Sequence, residues 1–600
     1  MSKEKKLPKR SEIPGKWKWK LEDLYPSGEA WEQDYRRIRE AIPDIETSRG
    51  SLCQSAEQLL KGLNVYFEWL ERAERLFVYA SMKRDEDNGN PESQALLDRA
   101  REVLTAGYSA ASFLVPEILS IPRNTLRDFM KSCEGLKVYD QYLDEITRRK
   151  EHYLSDREEE ILALAGEMAA APRNIFSMIN NADIRFPEVH DENGEKVELT
   201  KGRYTQMMGS RDREVRKEAF QAFYTTYAEQ KNAISAALNA SVKKDIFFSQ
   251  VRHYPSDLEA SLDEDNVPKS VYDHLIEAVG QNLDAMYRYV DLKKRALQVK
   301  ELHMYDVYAP IVKGVDWKFS YDRAKEIVAE GLEPLGTDYQ NILQKGFAGG
   351  WIDVMENEGK TSGGYSQGVY GVHPYVLLNY QGNIDSVFTL AHEMGHSIHS
   401  YLSGKNQPFA KAEYRIFVAE VASTLNEILL TEHLLHTLKD PKQKAYILNH
   451  YLEQFRTTVY RQTMFAEFEK IIHNMAESGQ PLTCESMSSV YRDLNIRYYG
   501  RGMHVDEEIS MEWMRIPHFY RSFYVYKYST GFCAAAALAN QIRKEGKPAV
   551  ERYLRFLSSG GSDYPINLLK KAGVDMTSTD PVNTALKSFD GMIGQLDELL

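Results

Sequence analysis

Residues 385–402, DSVFTLAHEMGHSIHSYL, decide the expected fold because they predict a long, half-buried α-helix. Apolar side chains recur there at the three- and four-residue spacing of one helical face. They are Val387, Leu390, Ala391, Met394, Ile398 and Leu402. Asp385 stands where its carboxylate can cap the first turn. We therefore expect a helix over these residues, with its polar positions gathered on one side.

The polar side of this helix carries His392, Glu393 and His396 in the pattern HExxH. Histidines four residues apart lie one turn apart on the same side, so both imidazoles can reach one ion. Glu393 then projects beside the ion, where it can act as a general base toward water. His399 lies about 10 Å along the axis from His392, too far to share that ion, and is interpreted either as a packing residue or as one that supports a ligand from behind. The alternative is a polar helix face with two ordinary histidines.

A third metal ligand must come from elsewhere in the chain. The metzincin pattern requires Gly and His at two positions that hold His399 and Leu402 here, so that class is excluded. A carboxylate from a following helix is the other common solution for catalytic zinc. Residues 413–435, EYRIFVAEVASTLNEILLTEHLL, predict such a helix, which is apolar almost all round and therefore buried.

One stripe of that buried helix is polar and consists of Glu420, Ser423, Thr424 and Glu427. A buried carboxylate is costly unless it is paired or bound to metal. We therefore expect Glu420 to be the third ligand, with Glu427 as a second candidate and Glu413 as a weaker one. Alternatively, the stripe faces water or pairs with arginine.

Residues 515–542 carry a tyrosine-rich segment, RIPHFYRSFYVYKYSTGFCAAAALANQI. Pro517 suits the first turn of a helix, and His518 follows it directly. Tyr520, Tyr524 and Tyr528 then fall four residues apart along one stripe. A phenol is a neutral donor that can stabilise an oxyanion, although an aromatic packing stripe is an equally good interpretation.

Most other segments of the chain also have patterns typical of helices, and one has the pattern of a β-hairpin. Ser155 and Glu158 form a capping box ahead of an apolar helical run. Asn193 and Gly194 lie between two short β-like runs, which is a strong signal for a β-hairpin.

The expected fold class is mainly α, with a small β-sheet near the metal helix. Residues 349–383 predict that sheet because they are rich in Gly, Tyr and β-branched residues. We expect an N-terminal helical part, residues 1–200, that ends in the hairpin. Residues 201–600 then form the catalytic part.

The composition excludes several classes of protein. With 43% hydrophobic and 27% charged residues, the chain is neither disordered nor embedded in a membrane. A net charge of -13 with scattered Lys and Arg argues against nucleic acid and anionic membranes as partners. Only four cysteines occur, and no CxxC pair is present. Because the N-terminal residues also lack an apolar signal sequence, we expect a cytoplasmic protein.

The chain resembles the thimet oligopeptidase family of zinc metallopeptidases, and specifically its oligoendopeptidase F branch. The resemblance rests on HEMGHSIH and on Glu420, which follows His396 by 24 residues within FVAEVASTLNE. It extends from about residue 115 to the end of the chain. Further matching segments are FPEVHDENGEKVELT, GVYGVHPYVLLNY and HFYRSFYVYKYSTG.

This resemblance implies a two-lobed, bowl-like helical enzyme whose deep channel admits only short, unstructured peptides. It implies one zinc ion per chain, bound by His392, His396 and Glu420, with Glu393 as general base. His518 and either Tyr528 or Tyr524 would stabilise the oxyanion.

The resemblance also implies a substrate-binding strand within residues 371–380. Gly371, Val372, His373 and Tyr375 would pair with the substrate backbone as an edge strand does. The implied activity is endopeptidase cleavage of oligopeptides. Two alternatives are a zinc aminopeptidase and a helical peptide-binding protein whose metal is structural or absent. The sequence does not predict the oligomeric state.

Overall fold

The computed structural model describes residues 6–312, 314 and 317–600, and these residues are mainly α-helical, as the sequence predicts. The helices up to residue 300 are α1 (Gly28–Glu40), α2 (Ile42–Glu46), α3 (Ala56–Glu86), α4 (Pro91–Ala110), α5 (Leu114–Ser120), α6 (Arg123–Ser132), α7 (Asp140–Arg148), α8 (Asp156–Met178), α9 (Lys201–Met208), α10 (Arg213–Glu229), α11 (Lys231–Val251), α12 (Asp257–Asp263), α13 (Lys269–Gln281) and α14 (Leu283–Ala296). The later helices are α15 (Tyr321–Gly331), α16 (Gly336–Ala348), α17 (Ile384–Asn406), α18 (Phe409–Ala412), α19 (Ile416–Thr437), α20 (Pro441–Phe455), α21 (Arg461–Glu477), α22 (Cys484–Tyr499), α23 (Tyr526–Glu545), α24 (Lys547–Leu557), α25 (Pro565–Lys571) and α26 (Asp580–Asp597).

The strands are short and form three small sheets within the described residues. They are β1 (Glu188–His190), β2 (Lys196–Glu198), β3 (Leu302–His303), β4 (Ile352–Asp353), β5 (Tyr365–Gln367), β6 (Tyr375–Leu377) and β7 (Met503–His504). β1 and β2 are the antiparallel hairpin expected at Asn193 and Gly194. Gly194 has a φ of +76°, which a glycine adopts without strain.

The chain divides into two units, each assembled from three segments. The first contains the described residues of Met1–Glu151, Trp317–Leu430 and Leu538–Gly573. The second contains those of His152–Asp316, Thr431–Ala537 and Val574–Leu600. This division differs from the single boundary expected near residue 200, because contacts between remote segments are invisible to an inspection along the chain.

Helix α17 in the first unit contains the HExxH residues and buries the predicted apolar face. Five of its six expected apolar side chains are buried, whereas Leu402 is half-buried. The helix begins one residue earlier than expected, at Ile384, and Asn383 caps it by accepting a hydrogen bond from the Ser386 N–H at 2.9 Å. The expectation that Asp385 is the cap is therefore wrong, since Asp385 lies within the first turn.

Helix α19 approaches α17 so closely that Gly395 has no room for a side chain. A Cβ at Gly395 would lie 2.6 Å from the Ser423 Cα and 2.7 Å from the Ala422 carbonyl oxygen. Asn426 ties the two helices together by donating to the Ala391 carbonyl oxygen at 2.9 Å. The phenol of Tyr339 on α16 donates in turn to the Asn426 side chain at 2.8 Å. This contact brings the polar stripe of α19 to the HExxH residues.

The three-stranded sheet of the first unit lies against α17, as expected from residues 349–383. Its order is β4-β6-β5, with β6 parallel to β4 and antiparallel to β5. β5 is therefore an edge strand and β6 is the central one. Ser366 of β5 makes a 2.8 Å hydroxyl–hydroxyl hydrogen bond with Ser397 of α17.

The second unit contains the tyrosine-rich segment, and the expectation of one continuous helix from Pro517 is wrong. Pro517–Tyr520 is a short 3-10 helix, and α23 begins only at Tyr526. Between them Phe523 has a φ of +57°, a conformation that a helix does not contain. The buried carboxylate of Glu469 accepts the Phe523 N–H at 2.9 Å and holds this turn. The capping box ahead of α8 is confirmed, because Glu158 accepts the Ser155 N–H at 3.0 Å.

One stretch of the described residues, Pro91–Ser120, is long and apolar enough to cross a membrane, with a mean hydropathy of 1.3. Half of that stretch is buried within the fold. It packs against α3, as a core helix does. Length and composition alone therefore do not distinguish it from a core helix.

Candidate metal centre

His392, His396 and Glu420 converge on one point in the first unit. The two Nε2 atoms lie 3.2 Å apart, and the Glu420 Oε2 atom lies 3.5 Å from each of them. Tetrahedral zinc with bonds of about 2.0–2.1 Å has ligand atoms about 3.3–3.4 Å apart. The three distances match the edges of such a site, and two imidazoles with one carboxylate are a common ligand set for catalytic zinc.

Glu427 contacts the imidazole of His392 on the side away from His396 and Glu420. Its Oε1 atom accepts a 2.6 Å hydrogen bond from the His392 Nδ1, which turns the Nε2 atom toward Glu420 and His396. A carboxylate in this position fixes the tautomer of a ligating histidine and raises its basicity. Glu427 is therefore a supporting group here, rather than the second candidate for a ligand. Glu413, the weaker candidate, is exposed and lies outside this group.

The carboxylates make this cluster electronegative. Burial opposes ionisation of Glu420, but the hydrogen bond from His396 and the positive charges of His396 and His392 hold its pKa at about 2. Burial likewise lowers the pKa of His392, but its hydrogen bond to Glu427 and the nearby carboxylates outweigh this effect and raise the pKa to about 9. The site therefore favours a positive charge, which a proton or a metal ion can supply.

Glu393 is buried beside the cluster and belongs to none of the ligand positions. Burial raises the pKa of its carboxyl group, and the positive charges of His392 and His396 oppose this rise. A Cβ at Gly364 would lie 3.6 Å from the Glu393 Oε1 atom, an ordinary contact, so residue 364 lies directly beside this carboxylate. Glu393 therefore lies close to both imidazoles, and its role as a general base stays a prediction.

His399 does not join the cluster. Its ring stacks on that of Tyr414, with centroids 3.6 Å apart and an interplanar angle of 3°. Burial and the charge of His396 lower its pKa to about 3, so it stays neutral. The structure agrees with the interpretation of His399 as a packing residue.

The residues predicted to bind substrate do not form an edge strand, and their role in substrate binding stays a prediction. Tyr375 belongs to β6, whose two edges already pair with β4 and β5, so it has no free edge for a substrate. Gly371, Val372 and His373 lie in the loop before β6. His373 stacks on Trp351 and bonds through Nε2 to Asp23 at 3.0 Å, which are contacts that support the fold.

His518, Tyr524 and Tyr528 lie together in the second unit. The imidazole is 6.1 Å from each phenol ring, and the two phenol rings are 5.4 Å apart, measured between centroids. Partial burial and the charges of Arg461 and Arg521 lower the pKa of His518. Their role in oxyanion stabilisation stays a prediction. Tyr520, in contrast, is buried and stacks on Phe176.

Sequence inspection missed two supporting residues of the centre, Asn426 and Gly364. Asn426 lies within an apolar helix, and a buried amide there signals a specific hydrogen-bond partner. Gly364 lies next to Gly363 in a region expected to be loops. Only the packing of β5 against α17 shows why position 364 is a glycine.

Comparisons with known proteins show which family this chain resembles. A family model described as Peptidase family M3 matches residues 206–588, and one described as Oligopeptidase F matches residues 117–186. Oligopeptidase PepF of Bacillus subtilis is 48% identical over 603 residues, covering 100% of this chain and 90% of that protein. The crystal structure of oligoendopeptidase-F from Enterococcus faecium is 39% identical, with a TM-score of 0.75, and covers 95% of this chain and 99% of its own. A Chlamydophila abortus structure is 36% identical, with a TM-score of 0.92, and covers 99% of this chain and 100% of its own.

Proposed function

The chain belongs to peptidase family M3, as its resemblance to the oligoendopeptidase F branch predicts, and we propose that it is a zinc-dependent endopeptidase. Its substrates would be short, unstructured oligopeptides, cleaved at internal bonds. The relatives that support this proposal are oligopeptidases by name.

The observation that carries the proposal is the convergence of His392, His396 and Glu420, with Glu393 beside them. Three protein ligands leave a fourth position for water or substrate, which is typical of catalytic zinc. A structural site would normally close that position with a fourth protein ligand. Glu427 supports the ligands without occupying a position itself.

In the proposed reaction, each residue has a separate task. A zinc ion bound by these groups would polarise the scissile carbonyl and lower the pKa of a coordinated water to about 7. Glu393 accepts a proton from the attacking water and later delivers it to the leaving amine. Glu427 keeps the His392 imidazole oriented throughout. His518 and one phenol, of Tyr528 or Tyr524, donate hydrogen bonds to the oxyanion.

The peptide backbone of the substrate would pair with β5 rather than β6. β5 is the sheet edge next to α17, and edge strands bind extended peptides by adding a strand. Gly364, which directly precedes β5, lies beside Glu393, since a Cβ there would be 3.6 Å from the Glu393 Oε1 atom. An extended substrate on this edge therefore passes the general base.

The protein would work in a reducing compartment, which we propose is the cytoplasm. All four cysteines, Cys53, Cys133, Cys484 and Cys533, are free thiols. Disulfides are uncommon in that compartment.

Hydrolysis of blocked peptides tests the proposal. An internally quenched peptide with a blocked amino terminus should be cut, a chelator should abolish the cutting, and added Zn²⁺ should restore it. A free-amine aminoacyl substrate and a folded protein should both resist. Cleavage of the aminoacyl substrate alone would indicate an aminopeptidase and contradict the proposal, as would cutting that is insensitive to the chelator.

A further inference from the structure

A second cluster of imidazoles and carboxylates lies in the second unit, where β3 and β7 run parallel. Their register pairs His303 with His504, so the two imidazoles lie side by side with ring centroids 4.5 Å apart. Side chains two residues apart on a strand point to the same face. Glu301 precedes His303 by two residues, and Asp506 follows His504 by two. The pairing thus gathers two imidazoles and two carboxylates.

Asp506 orients the more buried imidazole. Its Oδ1 atom lies 2.8 Å from the His303 Nδ1, and its Oδ2 atom accepts the Met304 N–H at 2.8 Å. The His303 ring also stacks on Tyr305, with centroids 4.8 Å apart. The backbone N–H of His303 donates to the buried carboxylate of Asp306 at 3.0 Å. His303 is therefore held from several sides.

Glu301 faces both imidazoles at distances that a hydrogen bond does not explain. Its Oε2 atom lies 3.4 Å from the His303 Nε2, and its Oε1 atom lies 3.4 Å from the His504 Nδ1. Hydrogen bonds of this type are about 2.7–3.2 Å long. When the His303 Nδ1–H donates to Asp506, the Nε2 atom presents a lone pair to the Glu301 carboxylate. A divalent cation bound by both groups would offset the repulsion between these two electron-rich atoms.

We propose that His303, His504 and Asp506, whose candidate ligand atoms all lie within 4.8 Å of one another, bind a divalent transition-metal ion of the zinc type, with Glu301 facing both imidazoles. Separations of 3.4 Å match the distances of about 3.3–3.5 Å between ligand atoms that share one zinc ion. Imidazole and carboxylate ligands suit Zn²⁺ better than Ca²⁺ or Mg²⁺.

This site has a structural consequence. The ion would link residues 301–303 to residues 504–506, two segments about 200 residues apart in sequence. A metal ion that binds only the folded arrangement stabilises it. Asp506 also directly precedes the 3-10 helix Glu507–Arg515, so the linkage fixes the start of that helix.

Zinc stoichiometry of the full chain tests this proposal. After dialysis against buffered Zn²⁺, elemental analysis should find two zinc ions per chain in the unaltered protein and one in His504→Ala. His504 is half-exposed, so its replacement should leave the fold intact. His190→Ala is the matched control, since His190 is an exposed histidine of the same unit that contacts Glu218 at 3.0 Å. It should retain two ions.

The same measurement separates this proposal from the peptidase centre. His392→Ala should lose one ion and keep the one at His303 and His504. Double replacement of His392 and His504 should remove both. A single ion that His504→Ala retains and His392→Ala loses, or two ions in His504→Ala, would overturn the proposal, whereas a single ion that only His504→Ala loses would instead contradict the peptidase centre.

Discussion

The Nδ1 atom of His392 lies 2.6 Å from the Oε1 atom of Glu427, so one nitrogen of this imidazole is engaged on the side away from the ligand cluster. Its other nitrogen, Nε2, faces Glu420 and His396. Glu420 and Glu427 lie seven residues apart on one stripe of α19, and they contact opposite edges of the same ring. The helix thus supplies both a candidate ligand and the group that orients a second one.

Replacing Glu427 with Gln tests this supporting role. The amide keeps an acceptor for the His392 Nδ1–H but loses the negative charge that raises the basicity of the imidazole. Zinc affinity should fall by about ten- to a hundredfold, which is typical for such partners. Competition with a chromogenic chelator measures this affinity. Glu413→Gln is the control, because Glu413 is exposed, and an equal loss in both variants would contradict the assignment.

Replacing Glu393 with Gln should separate catalysis from metal binding. The amide cannot accept a proton from water, so peptide hydrolysis should fall by about a thousandfold. Zinc content should stay unchanged, because Glu393 holds no ligand position. Turnover numbers and elemental analysis of the same preparation check both expectations. Turnover close to that of the unaltered enzyme would rule out Glu393 as the base.

Replacing Gly395 with Ala should push α19 away from α17. The new Cβ would meet the backbone of Ser423 and Ala422, which cannot move without the helix. We expect a loss of about 1–3 kcal/mol in the free energy of unfolding, together with weaker zinc binding as Glu420 shifts. Chemical denaturation and chelator competition measure the two effects.

Gly404→Ala is the matched control for this replacement. It lies on the same helix, and its added Cβ would only reach the Tyr370 ring at 3.9 Å, which is an ordinary contact. Its stability should stay equal or rise slightly, because Ala favours a helix over Gly. If both variants bind zinc as tightly as the unaltered protein, the close approach of the helices does not position Glu420.

The buried carboxylate of Glu512 should make the stability of the fold depend on pH. Burial would raise its pKa, but Arg461 and Arg515 outweigh this effect and lower the pKa to about 2. Since the pKa is lower in the folded state, the contribution is complete above the ordinary value of 4.5 and is lost as the pH falls toward about 2. Glu512→Gln should therefore destabilise the protein by a few kcal/mol at neutral pH and by less at about pH 3. Urea unfolding at both pH values checks this, and an equal loss at both would contradict it.

Local patterns in the sequence predicted much of this fold. The spacing of apolar residues gave α17 to within four residues at its C-terminus and one at its N-terminus. Asn193 and Gly194 correctly predicted the hairpin, and Ser155 with Glu158 correctly predicted the start of α8. Each of these features depends on contacts within one turn or one helix, between residues that are close together in the sequence.

Long-range contacts explain the errors. The break before α23 depends on Glu469, which lies 54 residues before the Phe523 N–H that it binds. The central position of Tyr375 depends on pairing of β6 with both β4 and β5, which lie in two separate earlier segments of the chain. In the same way, the stripe on α19 indicated a charged target but not which nitrogen of His392 each carboxylate would face. Only the close contact of α17 and α19 decides that.

Diffraction from crystals of the active, zinc-loaded enzyme, recorded at the zinc absorption edge, would locate the ion itself. We expect an anomalous peak about 2.0–2.2 Å from the Nε2 atoms of His392 and His396 and from a carboxylate oxygen of Glu420. Crystals of enzyme with full peptidase activity that show no peak at this position would contradict it.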